Sequence, residues 1–120
     1  MSAGCGPVDL GRSPAAVLHP LAADGARIDG GFWGQRQRLN RDVLLPDGHG
    51  RLEEAGNVEN LRRAARVEGG GFRGMVFADS GVHKWLEAAG WELQREPSDA
   101  LARSADELIA LLADAQEDDG

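Results

Sequence analysis

The sequence predicts a mainly α-helical protein with a loop-rich N-terminal part. Apolar residues recur at helical spacing twice in the C-terminal third. Fifteen of the seventeen glycines crowd the chain before residue 82, and only Gly90 and Gly120 fall later.

The leader, residues 1–17, is Gly, Pro, Ser and Ala without periodicity, and it reads as flexible. Val17-Leu18 and Ala26-Arg27-Ile28 are short extended candidates on either side of an Asp24-Gly25 turn. A first helix is expected from Phe32 to about Leu45. Its face is thin, made of Trp33, Gln37, Asn40 and Leu44, and Pro46-Asp47-Gly48-His49-Gly50 should end it. Asn57 can cap a second helix running to about Val67. Val58, Leu61 and Ala65 then face inward, and Arg62, Arg63 and Arg66 face water.

The last two helices carry the strongest pattern. Val82, Trp85, Leu86, Ala89 and Leu93 share one face of a helix from Ser80 or Gly81 to Glu96. Asp79 or Ser80 is positioned to cap it. Pro97 breaks the chain, Ser98 can cap the next helix, and Asp99 suits the positive end of its dipole. Leu101, Ala105, Leu108, Ile109 and Leu112 form the stripe of that helix, which runs to about Gln116. So short a connection between two amphipathic helices implies an antiparallel hairpin.

Net charge is −7, unevenly spread. Residues 21–75 hold nine Arg against eight acids. Residues 76–120 hold Lys84, Arg95 and Arg103 against eleven acids. An acidic helical half lacks the clustered cations that nucleic-acid binding requires. No apolar run approaches the roughly 20 residues of a membrane span. The N-terminus has no charged start followed by an apolar core, so a cytoplasmic location is expected.

Candidate chemistry is sparse. Cys5 is the sole cysteine, so no intramolecular disulfide can form. His19, His49 and His83 are scattered and share no face with a Cys or carboxylate at metal-binding spacing. Gly69-Gly70-Gly71-Phe72-Arg73-Gly74 formally fits G-x-G-x-x-G. A dinucleotide fingerprint must follow a strand, however, and here a helix precedes it. Trp85 is read as core. Trp91 lies off the stripe, where it could meet a helix from outside this chain.

Four ordered blocks carry a resemblance. They are Ile28-Asp29-Gly30-Gly31-Phe32-Trp33-Gly34-Gln35-Arg36, Gly56-Asn57-Val58-Glu59-Asn60-Leu61-Arg62-Arg63-Ala64-Ala65, Phe72-Arg73-Gly74-Met75-Val76-Phe77-Ala78-Asp79-Ser80 running on to Lys84-Trp85-Leu86-Glu87-Ala88-Ala89, and Ala115-Gln116-Glu117-Asp118-Asp119-Gly120. In that order they resemble glycoside hydrolase family 127, the β-L-arabinofuranosidase-type enzymes. The chain departs from the family in Asp79-Ser80-Gly81, where Asp-Ser-Asp is usual, and in His83, where Tyr is frequent.

The resemblance implies that residues 18–120 are the first helices of an (α/α)6 toroid, the N-terminal portion of the catalytic domain. It implies retaining hydrolysis of an arabinose-containing glycan by a zinc-held cysteine thiolate with a glutamate acid/base. None of those residues is expected in these 120, so neither a catalytic residue nor a metal ligand is assigned here. Asp79 is the one candidate for contact with substrate, either as a helix cap or as a cap that also faces the sugar cleft. The expected partners are the glycan and either a C-terminal remainder or a second copy of the chain. The alternative is a small stand-alone helical interaction module without catalysis.

Overall fold

A computed structural model describes residues 13–19, 21, 25–65 and 70–117. The expectations for residues 1–12, for Arg66 and Val67, and for the closing Asp118-Asp119-Gly120 lie outside them. Among the described residues there are helices and irregular segments and no strand. Helix α1 spans Gly31–Leu39 and leads into a π-helical turn, Asn40–Leu44. Helices α2 (Leu45–Glu54), α3 (Asn57–Ala64), α4 (Ser80–Arg95) and α5 (Asp99–Ala115) follow. Ala26–Ile28, an extended candidate, pairs with nothing as a strand. Ile28 instead lies over Gly34 of α1.

Pro46 does not end the first helix, contrary to the sequence expectation. In a regular α-helix its nitrogen would have to donate to the carbonyl of residue 42, which proline cannot do. The chain widens into a π turn just before it, with the Leu45 N–H bonding to the Asn40 carbonyl. Pro46 then falls in the first turn of a renewed α-helix, where a missing donor costs least. The wider turn also shifts the inward face, since each residue advances the helix by about 100°. Leu45 is buried, and Leu44, the expected inward residue, is 54% exposed. Trp33 likewise faces outward, while Gln37 and Asn40 are half-buried.

Helices α2 to α5 surround one core of Leu45, Val58, Val82, Trp85, Ala89, Leu101, Ala105 and Leu108. Leu52, Leu61, Leu86, Leu93, Leu111 and Leu112 pack against its edges. The α4–α5 hairpin is present as the spacing predicted. The Ser98 hydroxyl caps α5 by accepting from the Leu101 N–H at 3.4 Å. Ile109 is the exception, 54% exposed, one step round the helix from Leu108.

Trp85 ties the hairpin to α2. Its indole N–H donates to the Leu45 carbonyl at 2.9 Å, and its ring lies 5.3 Å from that of His49. A β-carbon on Gly48 would sit 3.1 Å from the indole. Gly48 is therefore a helical glycine that admits Trp85, rather than part of a loop.

Arg62 and Arg63 depart from the solvated face expected of them. Both are half-buried. Arg62 grips Glu53 of α2 through two bonds, 2.9 and 2.7 Å, and Arg63 pairs with Glu59.

Candidate functional site

Asp79 lies at the junction of the 70–79 loop and α4, and its residue is exposed. It does not cap the helix with its side chain. A capping residue normally has extended backbone, whereas Asp79 is already helical, with φ −57° and ψ −32°. The N–H groups a cap would satisfy have other acceptors three residues back. Ser80 donates to Phe77 at 3.1 Å, Gly81 to Ala78 at 3.3 Å and Val82 to Asp79 at 2.9 Å. The carboxylate is thus not recruited by the helix it precedes.

The loop before Asp79 is held by α3. Asn60 is buried, and its carboxamide takes both backbone groups of Arg73. It accepts from the Arg73 N–H at 2.9 Å and donates to the Arg73 carbonyl at 2.7 Å. Asn57 donates to the Ala78 carbonyl at 2.5 Å. Its expected role as a cap belongs instead to Gly56, whose φ of +83° suits glycine. A β-carbon on Gly56 would also press on Arg73. Arg73 bonds Glu59 at 2.9 Å, and Arg63 donates to Glu59 and to the Gly71 carbonyl.

Gly81 is part of the same arrangement. A β-carbon there would fall 2.7 Å from Asn57 Nδ2 and 3.0 Å from Leu52 Cδ2. Glycine at this position leaves room for Asn57 to reach Ala78. The loop so fixed holds Phe72, Met75, Val76 and Phe77 in water, each at least 60% exposed. The asparagines were legible only as a possible cap and a polar helix position. Their spacing of three was the available signal, because it puts both on one side of α3 beside a glycine-rich loop.

A concavity of about 510 Å3 lies between α1 and α4, with Trp33 on one wall and Trp91 on the other. At its edge, Glu92 is buried and accepts from Arg95 Nε at 3.2 Å. That bond raises the Arg95 guanidinium above its ordinary pKa. Trp91 thus faces a helix of this chain across an open gap.

Cys5 lies outside the described residues, and His83 is exposed as expected. Among the described residues no three His, Cys, Asp or Glu side chains could together hold a metal ion. The zinc implied by the resemblance therefore finds no fitting set there. No described helix is long and apolar enough to cross a membrane.

Helices α2 to α5 share one core, and Asn57 and Asn60 join two of the motif blocks. A family model for β-L-arabinofuranosidase, GH127 catalytic domain, matches residues 26–120, and the chain belongs to that family. The non-reducing end β-L-arabinofuranosidase of Bifidobacterium longum subsp. longum is 44% identical over 88 residues, which is 66% of this chain. The matched part is 13% of the length of that relative.

Proposed function

We propose that this chain supplies the opening helices of a domain that hydrolyses β-L-arabinofuranosides, with Asp79 facing the sugar, and that by itself it does not turn over substrate. The family match over residues 26–120 carries the reading. The Bifidobacterium relative acts, by its name, on non-reducing-end β-L-arabinofuranosides, which supports that substrate class here. The inactivity follows from chemistry. Zinc–thiolate catalysis needs a cysteine nucleophile and further Cys and Glu ligands, and the one cysteine, Cys5, precedes the matched region. No step through zinc is assigned to these residues.

Incubation of the 120-residue chain with an aryl β-L-arabinofuranoside, with and without zinc, tests this. No turnover is expected. Zinc-dependent turnover that survives Cys5→Ala overturns it.

The second reading is a stand-alone helical interaction module. The exposed Phe72, Met75, Val76 and Phe77 favour it, since apolar side chains grouped on a fixed loop suit a protein interface. Sequencing the genomic reading frame beyond codon 120 separates the two. A continuation into a cysteine-containing half supports the first, and a stop codon followed by unrelated sequence supports the second.

A further inference from the structure

We infer that Asn57 and Asn60 are positioning residues: from one side of α3 they hold the 70–79 loop at both ends and, on the reading of Asp79 proposed above, thereby set where the sugar-facing carboxylate lies. Residues three apart on a helix are neighbours on its surface. These two side chains reach opposite ends of the loop, Arg73 at the start and Ala78 just before Asp79.

The chemistry of the two contacts differs. A carboxamide has an acceptor oxygen and a two-proton donor, and a buried one must use them. Asn60 satisfies both on a single residue, copying the paired N–H and C=O bonds of a neighbouring strand. That contact fixes both the position and the orientation of the Arg73 peptide groups. Asn57 adds a single donor at the far end. Between them the chain turns back on itself, with the Ala78 N–H bonded to the Met75 carbonyl at 2.9 Å. Asp79 is the next residue, and its carboxylate makes no cap bond.

Gly81 makes the arrangement sterically specific. The space a β-carbon would need at 81 is the space Asn57 Nδ2 uses. A side chain at 81 and the Asn57–Ala78 bond therefore exclude each other without local movement. Gly81 leaves that space open, and the asparagine contact is made.

The test compares the 120-residue protein with its Asn57→Ala, Asn60→Ala and Asp79→Asn variants. Amide hydrogen exchange reads the loop, thermal melting reads the helices, and NMR titration with methyl β-L-arabinofuranoside reads the Asp79 end. Exchange at residues 73–79 should quicken about tenfold in Asn57→Ala, the loss of one net hydrogen bond. Sugar affinity should fall by a similar factor while the helices melt almost unchanged. Asp79→Asn should weaken sugar binding and leave loop exchange as it was. Asn60 is buried, so if Asn60→Ala fails to fold, Asn57→Ala decides.

Unchanged exchange in Asn57→Ala would overturn the assignment. A loosened loop with undiminished sugar affinity would also overturn it, since the asparagines would then be structural only. If the loop loosens as expected but the unaltered protein shows no sugar-induced shifts at residues 77–80, the reading of Asp79 fails and the loop-holding role stands.

Discussion

The indole of Trp85 donates to the carbonyl of Leu45, two buried residues forty positions apart and on different helices. The bond does for this fold what a longer apolar stripe would otherwise do. It locks the α4–α5 hairpin to the helix that resumes at Leu45, and it fixes the indole edge against Gly48.

Replacing Trp85 by Ala should cost about 3–5 kcal/mol, as for other large buried aromatics. Trp85→Phe should cost less than the Ala variant, because it keeps most of the packing and loses the donor. Urea unfolding followed by circular dichroism measures both. A loss near zero for Trp85→Ala would mean that the side chain contributes no core packing.

Gly48→Ala sets two effects against each other. Helix propensity favours alanine by about 1 kcal/mol. The new methyl, however, would meet the indole at 3.1 Å. Trp85 is buried and hydrogen-bonded, so it has little freedom to move aside, and crowding of this kind costs about 1–3 kcal/mol. Net destabilisation is expected. Gly50→Ala, where nothing lies within 4 Å, should stabilise instead. A pair of melting curves checks the opposite signs.

Glu92 is a buried carboxylate whose ion pair is with Arg95, one turn further along α4. Glu92→Ala strands part of that guanidinium, although Arg95 retains Glu96 at 3.3 Å and is partly solvated. The loss should be about 1–2 kcal/mol, below that of a fully buried broken pair. Glu92→Leu should recover part of it by filling the same volume with apolar atoms. Chemical denaturation of the two variants is the measurement.

Unpartnered apolar surface should make the purified chain self-associate or bind hydrophobic dyes. Phe72, Met75, Val76, Phe77, Phe32 and Trp33 are all more than half exposed. The charge of −7 opposes precipitation without covering those side chains. Light scattering and dye fluorescence across a concentration series check this. A monomer that ignores the dye would contradict it.

The sequence by itself determined the α4–α5 hairpin, its Ser98 cap and the inward placement of Trp85, Leu101 and Leu108. It also pointed to the glycoside hydrolase family through blocks of adjacent residues. These are local properties: helical periodicity and capping act over one to four positions, and neighbours in sequence carry them. Tertiary structure decided the rest. Pro46 read as a stop because its missing N–H is a local fact, while the π turn that accommodates it belongs to a helix held in place by Trp85 and Leu45. Arg62 read as solvated because Glu53 lies nine residues away on another helix. Asn57 read as a cap because its actual acceptor, the Ala78 carbonyl, lies twenty-one residues on. Side-chain bonds to distant backbone have no period of their own, and the spacing of Asn57 and Asn60 marks a shared side of a helix without naming the acceptor. They form only when packing brings the two segments together, and in this chain those bonds hold the loop that ends at Asp79.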